Sequence, residues 1–392
     1  MADQDRVLLT GGRFPGSVGL AHALIHYGTR VDVADSYKLA PSLHARGIAQ
    51  PHVVPAPAKH PVAFTDAVAR IVADRDIGLV IPTFEEGFYL SRYRDRVPVP
   101  IFAPAFETVL PLHDKARFQA VCHALDLPTP PSVAVTSGDA LRHAIGRFER
   151  YLARPAFSRA GAFCLTNHGP RAGEMRLDDC RPTDDNPWLV QEFVDGRDAC
   201  SFSVVRDGRV VVHCAYEPVI AAASGFSVQF RSIDDFGALR VAQKVAGHFG
   251  YTGFLGFDYR RTEDGFVLIE CNPRLDAGVF VTPFHWIGEA VLGEPEDLRI
   301  APAGVKKQYD ALLIGTGGID LSVGERLKQL LTTPDALVEQ ADFLPSILYY
   351  AQRRHWKAVA QKEHIPVDTA SHADIAWDGT PMPEPSEGSE AV

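Results

Sequence analysis

The sequence predicts a chain of mixed α/β and α+β class, in which a parallel α/β domain precedes a region rich in β-hairpins and a small C-terminal region. The first observation is the order strand, glycine loop, helix, strand in RVLLT, GGRFPGS, VGLAHALIHYG and TRVDVAD. A helical pattern near residues 64–74 and an apolar strand at 77–81 continue it, as is typical of a parallel sheet built from βα units. The second observation is two hairpin patterns, which turn at Asp207-Gly208 and at Glu263-Asp264-Gly265.

These patterns divide the chain into domains. We expect the parallel domain over residues 1–113, the hairpin-rich domain over 114–300 and an α/β region over 301–380. In that last region the run ALLIG predicts a strand, and two stretches near 324–331 and 344–359 predict helices. The segment PMPEPSEGSEAV is proline-rich and acidic, so residues 381–392 are expected to be a disordered tail.

Composition excludes several classes of protein. The 392 residues, 46% of them hydrophobic, are enough for two or three domains with their own cores. A net charge of -10 disfavours a nucleic-acid surface, which normally carries a basic patch. No run approaches the ~18 apolar residues of a membrane span, and the start MADQDRVLLTGG does not resemble a secretory leader. We therefore expect a cytoplasmic protein. The six cysteines show no C-x-x-C spacing, which argues against a zinc knuckle or a disulfide framework and predicts reduced thiols.

Two features of the first domain leave their function open. The glycines of GGRFPGS do not follow the G-x-G-x-x-G spacing of a dinucleotide site, and they equally suit a tight turn into a helix whose N-terminus can hold an anion. Glu85 and Glu86 follow the strand IGLVIPT, at the position where α/β sheets usually place ligands. The alternative is that both acids lie in a solvated first helical turn, where acids are favoured.

The stretch GFLGFDYRRTEDGFVLIECNPR predicts a hairpin that carries opposed carboxylates. A three-residue loop ending in glycine suits a type I turn followed by a left-handed residue. If Thr262 pairs with Phe266 across this loop, Asp258 lies opposite Glu270 on the same face of the sheet. Two facing carboxylates repel each other, so this arrangement is favourable mainly when cations lie between them. Asn272 then lies beside the pair, and Mg²⁺ is the natural cation, because it takes oxygen ligands and keeps positions for water and phosphate.

This hairpin, with G-x-x-G-x-D before the turn and I-E-C-N-P-R after it, resembles the metal-binding signature of the ATP-grasp superfamily. The resemblance implies that Asp258, Glu270 and Asn272 bind Mg²⁺, with Mn²⁺ as an alternative, together with the phosphates of ATP. It also implies a two-lobed ATP-grasp domain after a pre-ATP-grasp domain. The run IPTFEEGFYLS is similar to the pre-ATP-grasp domain of the ligase group that includes the mycosporine-glycine synthases.

The resemblance assigns further residues to the nucleotide. Lys115, in the helical run LHDKARFQAVCHALD, corresponds to a lysine that reaches the phosphates. Arg154 stands where most members have lysine and where the large subunit of carbamoyl phosphate synthase has arginine. The loop SRAGAF, whose glycine is Gly161, is similar to the loop that folds over phosphates, although it is poorer in glycine. In WLVQEFVDGRDA the resemblance implies contacts in the hinge between the lobes: Gln191, Glu192 and Val194 toward adenine, and Asp198, with Asp195 competing, toward the ribose.

The implied activity is that of an ATP-dependent ligase, which phosphorylates a small carboxylate and lets an amine displace the phosphate, with release of ADP. Arg274 is assigned to catalysis. Arg231 is assigned to a substrate carboxylate or a phosphate, with a surface arginine as the alternative. Other acceptors (an enol or bicarbonate), a non-catalytic nucleotide-binding protein and an NAD-dependent oxidoreductase remain as alternative functions. The expected partners are small molecules, without nucleic acid or membrane, and a homodimer is the default assembly.

Overall fold

The computed structural model describes residues 5–159, 163–222, 227–263, 265–293, 295–315, 319–338, 341–365 and 367–384. The predicted mixed α/β architecture is confirmed, and its first part is a parallel sheet in the order β3-β2-β1-β4. In chain order the elements of this part are β1 (Arg6–Thr10), α1 (Pro15–His26), β2 (Arg30–Asp35), β3 (Gln50–Val53), α2 (Pro61–Arg75), β4 (Leu79–Pro82), α3 (Glu86–Arg92) and α4 (Phe106–His113).

A smaller antiparallel sheet follows, in the order β5-β8-β6-β7. The helix that leads into it begins at Lys115, because the side chain of Asp114 caps it by accepting hydrogen bonds from the backbone of Ala116 and Arg117. This cap fixes the position of Lys115 in the first helical turn. The elements are α5 (Lys115–Ala124), β5 (Ser132–Val135), α6 (Gly138–Ile145), β6 (Tyr151–Pro155), β7 (Leu165–Thr166) and β8 (Trp188–Glu192).

The largest sheet has the order β13-β12-β9-β10-β11-β15, and β14 pairs with β10. One of its faces packs against α7, and the other packs toward the first domain. Both hairpins predicted from the sequence lie in this sheet. Its elements are β9 (Arg197–Arg206), β10 (Arg209–Ala221), β11 (Ser227–Ile233), α7 (Phe236–Phe249), β12 (Gly253–Thr262), β13 (Gly265–Asn272), α8 (Phe284–Leu292), β14 (Arg299–Ile300) and β15 (Lys306–Gln308).

The β12–β13 hairpin has the predicted pairing of Asp258 with Glu270, but the predicted turn is wrong. Thr262 pairs with Gly265, so two residues rather than three connect the strands. A β-bulge next to Asp258, in which Ile269 is the extra residue, then shifts the register back by one. The two differences cancel, and the carboxylates therefore face each other as expected.

The glycine loop after β1 has a steric explanation. Gly11 has a φ of +72°, and a Cβ atom at this position would lie 2.7 Å from Oε1 of Glu86. A Cβ atom at Gly19 would lie 2.0 Å from the ring of Phe284, so this glycine allows α1 to pack closely against α8. The contact at Gly11 agrees with the tight-turn interpretation of the loop, whereas Gly19 lies within α1 and serves helix packing.

The C-terminal part is helical where the structure describes it after β15. It contains α9 (Asp310–Gly315), α10 (Val323–Thr332), α11 (Leu344–Glu363) and α12 (Val367–His372). The strand predicted for ALLIG is therefore wrong, whereas the two predicted helices are confirmed. Ala311, Leu312 and Leu313 are all buried, and a short apolar run does not distinguish a buried strand from a buried helix.

After α12 the chain runs back over the first domain. Trp377 packs against Phe157 with ring centroids 4.9 Å apart, and Tyr93 donates a hydrogen bond to the carbonyl of Pro383 (2.8 Å). Residues 385–392 of the predicted tail lie outside the described residues. None of the described helices combines the length and the apolar character that a membrane crossing requires.

Candidate active site

A cavity of about 260 Å³ lies where the three parts of the chain meet. The β12–β13 hairpin and Lys115 line one side of it, the ends of β1 and β4 line another, and α11 and α12 complete it. The sequence predicted the contribution of the hairpin and of Lys115, whereas it left open whether the segment after β4 lies at a site. The contribution of the last ninety residues was missed, since their sequence matches no motif that points to a site.

Asp258 and Glu270 lie side by side at the wall of this cavity. Burial and the neighbouring Glu270 raise the pKa of Asp258 to about 8. Burial would raise the pKa of Glu270 as well, but Lys115 and Arg154 lower it to about 2. The pair therefore holds one proton between its carboxylates at neutral pH, as expected when two carboxylates share a site.

Asn272 completes the predicted metal-binding set. Its amide nitrogen donates a hydrogen bond to Oδ2 of Asp258 (3.2 Å), and its amide oxygen accepts one from Arg274 (3.0 Å). Two carboxylates and an amide supply hard oxygen ligands of the kind Mg²⁺ takes. The proton held by the carboxylate pair is the one a divalent cation would replace, so these residues fit Mg²⁺.

Two cations lie against Glu270. The ammonium of Lys115 is 3.4 Å from Oε2 of Glu270 and donates to the carbonyl of Ser158 at 2.6 Å. The guanidinium of Arg154 donates to the same carboxylate oxygen at 2.8 Å and to the carbonyl of Ile269 at 3.1 Å. Arg154 belongs to the smaller sheet and Glu270 to the larger one, so this ion pair joins the two sheets at the cavity.

Arg274, which the resemblance assigns to catalysis, also lines the cavity. Its guanidinium lies 4.8 Å from the ring centroid of Phe84, and it donates to the carbonyl of Leu275 (3.1 Å) as well as to Asn272. Its Nε atom is 3.7 Å from Oε1 of Glu85. These contacts fix a positive charge next to the metal-binding set.

The residues predicted to bind adenine and ribose are not among the residues that line the cavity. Gln191 is buried in β8, whereas the side chain of Glu192 is exposed, and Val194 follows the end of that strand. Asp198 is exposed and pairs with Arg260 at 3.1 Å. Across β9 and β12, Asp198 lies opposite Arg260 and Cys200 lies opposite Asp258. Because residues two apart on a strand point to the same face, Asp198 and Asp258 share a face of the large sheet. Gly161 lies outside the described residues.

The structure does not bring Arg231 to the cavity. Its guanidinium pairs with Glu217 on the neighbouring strand. Tyr216 lines the cavity, and the next residue, Glu217, points to the opposite face of the sheet together with Arg231. That face carries α7. The surface-arginine alternative agrees with this position, and a role in substrate binding stays untested.

Glu85 is a buried carboxylate that connects the parts of the site. It is fully buried, and it accepts two hydrogen bonds from Arg159, of which the one from Nε is 2.6 Å. Arg159 also donates to the carbonyl of Trp377. Burial would raise the pKa of Glu85, but Arg159 lowers it to about 2. The solvated alternative is therefore wrong for Glu85, which anchors the start of the SRAGAF segment and the C-terminal region.

Glu86, the residue after Glu85, is also buried, but it contacts different residues. It accepts hydrogen bonds from the hydroxyl of Thr10 (2.8 Å) and from the backbone of Thr83 (3.0 Å) and Phe84 (3.2 Å). Burial raises the pKa of this carboxyl. Glu86 thus joins the ends of β1 and β4, and it is not among the residues that line the cavity.

A second buried ion pair holds the C-terminal region in place. Arg13, from the glycine loop, is 2% exposed and pairs with Asp35 (2.8 Å) and Asp374 (2.5 Å). Tyr37 and Trp356 lie against its guanidinium, with ring centroids 6.0 and 5.7 Å away. In the sequence, the arginine of GGRFPGS is the one feature that could have indicated this ion pair. Nothing in the sequence around Asp374 indicates that it pairs with Arg13.

We expect the contact between Glu85 and Arg159 to protect the SRAGAF segment from trypsin. Glu85→Gln removes the charge that holds Arg159, and the loss of hydrogen bonds to a charged group corresponds to roughly 10–100-fold more of the released state. Cleavage after Arg159, followed by mass spectrometry, should accelerate by that factor. Glu86→Gln is the matched control, since Glu86 does not contact Arg159. Equal cleavage rates in Glu85→Gln and the wild type would contradict this role.

Metal binding should depend on pH because of Asp258. The folded protein holds a proton on this carboxyl that the unfolded chain releases above its ordinary pKa of 3.8. The metal-free protein therefore loses this contribution to stability as the pH rises from 3.8 to about 8. Since Mg²⁺ must displace that proton, its affinity in the presence of ADP should rise with pH, by up to about tenfold per pH unit below the pKa of Asp258. Calorimetry on the wild type and Asp258→Asn checks this, and a flat profile in the wild type would contradict it.

Comparison with known proteins identifies a related domain and a shared fold. Residues 113–278 match the family model described as the ATP-grasp domain. Comparison with curated proteins returned no similar sequence. Among solved structures, an ADP complex of N5-carboxyaminoimidazole ribonucleotide synthetase has a TM-score of 0.63 at 12% identity and covers 85% of this chain and 97% of its own. The same enzyme from Thermus thermophilus has a TM-score of 0.59 at 16% identity, with 77% and 81% covered.

A third similar structure is the biotin carboxylase domain dimer of the 2-oxoglutarate carboxylase of Hydrogenobacter thermophilus, bound to MgADP, ADP and bicarbonate. It has a TM-score of 0.59 at 14% identity and covers 76% of this chain and 73% of its own. Identities this low establish a common fold and nothing finer. The expected cofactors, ATP and Mg²⁺, agree with the nucleotides and the metal in these complexes.

Proposed function

We propose that this chain, whose residues 113–278 match the ATP-grasp domain as the hairpin sequence predicted, is an ATP-dependent ligase that joins a small carboxylate to an amine. The observation that carries the proposal is the pair of facing carboxylates, Asp258 and Glu270, with Lys115 and Arg154 on the second of them. The arrangement is suited to two magnesium-bound phosphates with fixed cations beside them. Charge stabilisation of this kind is the main contribution of a protein to phosphoryl transfer.

The proposed reaction has two steps. An oxygen of the substrate carboxylate attacks the γ-phosphorus of ATP, the bond to the β-phosphate oxygen breaks, and ADP leaves. The amine nitrogen then attacks the carbonyl carbon of the acyl phosphate, phosphate leaves, and the nitrogen loses a proton. Mg²⁺, held by Asp258, Glu270 and Asn272, would neutralise the charge of the phosphate oxygens.

The cations of the cavity have separate roles in this proposal. Lys115 and Arg154 hold the phosphoryl group through its oxygens, and both are already positioned by contacts with the protein. Arg274 lies on the other side of Asn272, against Phe84. From there it orients the substrate carboxylate.

Bicarbonate is the second candidate for the acceptor. One structure with a similar fold holds bicarbonate together with MgADP, and the facing carboxylates serve either acceptor in the same way. Phosphorylated bicarbonate would give a carbamate with an amine, in place of an amide. The two functions therefore differ in the acid that stimulates ATP consumption.

A screen of acids and amines in pairs tests the proposal. We expect Mg²⁺-dependent release of ADP with at least one organic carboxylate and amine, and none with Asp258→Asn. Stimulation by bicarbonate alone, with no organic acid active, would support the second candidate. Absence of ADP release with every pair and with bicarbonate would overturn both.

A further inference from the structure

The cavity next to the metal-binding set contains features that select a substrate. Its volume of about 260 Å³ is below the ~300–1,000 Å³ of sites for drug-sized ligands. One end carries Asp258, Glu270 and Asn272, and the remainder extends between the first domain and α11. The space beyond the metal-binding set therefore suits a compact metabolite.

The first wall of this space is a stack of rings. Phe14 and Phe84 are stacked with centroids 5.6 Å apart, and Phe84 and His372 are stacked at 4.9 Å. Because Arg274 lies on the ring of Phe84, the guanidinium is at the edge of an aromatic surface. A carboxylate held by Arg274 would have its adjoining carbon atoms against these rings.

The second wall is formed by tyrosines from the C-terminal region and the large sheet. Tyr309 and Tyr349 are 2% and 4% exposed, with ring centroids 5.7 Å apart, and Tyr216 lines the same cavity. Rings on both walls favour a flat apolar body, which stacks or packs edge-to-face on them.

A polar group at the boundary with α11 adds a further requirement. Gln352 is 4% exposed and lines the cavity. Its amide nitrogen donates to the carbonyl of Arg13 (3.4 Å), whereas its amide oxygen accepts no hydrogen bond within the described part of the chain. A buried acceptor without a partner is costly, so a ligand with an N–H or O–H group at this position would be favoured.

We infer that the acid used by this enzyme is a compact aromatic carboxylate that also carries an amino or hydroxyl group, as an aromatic amino or hydroxy acid does. The inference rests on the proposed function and narrows its acid substrate. The carboxylate lies at Arg274 and the metal-binding set, the ring lies between the aromatic walls, and the amino or hydroxyl group donates to Gln352. The amine substrate is not specified by these contacts.

Matched acids test each part of this inference. We expect phenylalanine to exceed leucine at least tenfold in kcat/KM for ADP release with hydroxylamine as the amine. It should also exceed 3-phenylpropionate, which lacks only the amino group, since a site built to bind a polar group rejects an analogue without it. Gln352→Leu should abolish the preference for phenylalanine over 3-phenylpropionate and keep the preference for phenylalanine over leucine. Gln119→Leu is the control, because Gln119 is equally buried, its amide atoms have no partner within the described residues, and it lies outside the cavity lining.

The outcomes separate this inference from the proposed function. ADP release with small, acidic or basic acids and not with aromatic ones would overturn the inference and leave the ligase function intact. If no acid supports turnover, the proposed function fails, and calorimetry with MgADP then decides the inference by itself. Binding of phenylalanine at least tenfold tighter than leucine would support an aromatic site, and equal or absent binding of both would overturn it.

Discussion

Glu270→Gln should reduce ADP release by about 10²–10³-fold, as expected when one preorganised charge is removed from an active site. The substitution keeps the shape of the side chain but removes a charge that contacts both Lys115 (3.4 Å) and Arg154 (2.8 Å). Because these cations lower the pKa of Glu270 to about 2, the wild-type group is ionised at every pH at which activity would be measured. The loss should therefore not be recovered by raising the pH.

The measurement compares ADP release with folding. Glu270→Gln should retain the circular dichroism spectrum of the wild type while it loses activity. Glu263→Gln is the matched control, since Glu263 belongs to the same hairpin and is exposed. Near-normal activity in Glu270→Gln would show that this carboxylate does not bind the metal.

Substitution of Arg154 should have the second large effect, which is a loss of affinity for ATP. Its guanidinium makes two hydrogen bonds at once, to the Glu270 carboxylate and to the carbonyl of Ile269. A lysine retains the charge but not this paired geometry. We expect Arg154→Lys to weaken ATP binding by a few-fold and Arg154→Ala by roughly 10–100-fold, the value of a hydrogen bond to a charged group.

Binding of a non-hydrolysable ATP analogue, measured by calorimetry, distinguishes the three proteins. Arg142→Ala serves as the control, because Arg142 is 53% exposed and pairs with Asp139 (3.5 Å) and Asp178 (3.3 Å), neither of which is assigned to the nucleotide. Equal dissociation constants for the wild type, Arg154→Lys and Arg154→Ala would show that Arg154 contributes nothing to the phosphate site.

The sequence was sufficient to predict the hairpin because strand alternation restricts which side chains share a face. Asp258 and Glu270 face each other even though the loop is one residue shorter than expected, since the bulge at Ile269 restores the register. A bulge depends on the neighbouring strand and the packing around it, and nothing in FVLIEC indicates one. Prediction of the pair was therefore correct while the predicted turn was wrong.

The contacts between distant parts of the chain could not be predicted in the same way. The ion pairs from Glu85 to Arg159 and from Arg13 to Asp374 join residues 74 and 361 positions apart. No local pattern in a sequence encodes such distances. The burial of ALLIG depends equally on its tertiary neighbours, because its residues are compatible with either a strand or a helix.

Identification of the nucleotide product is the most direct test of the central claim that charge converges on the γ-phosphate. In the presence of an active acid and hydroxylamine, we predict ADP and phosphate as products, together with a hydroxamate that traps the acyl phosphate. ADP without a hydroxamate would instead indicate bicarbonate or an enol as the acceptor. Release of AMP and pyrophosphate would mean attack at the α-phosphate, and it would contradict the roles given to Lys115, Arg154, Asp258 and Glu270.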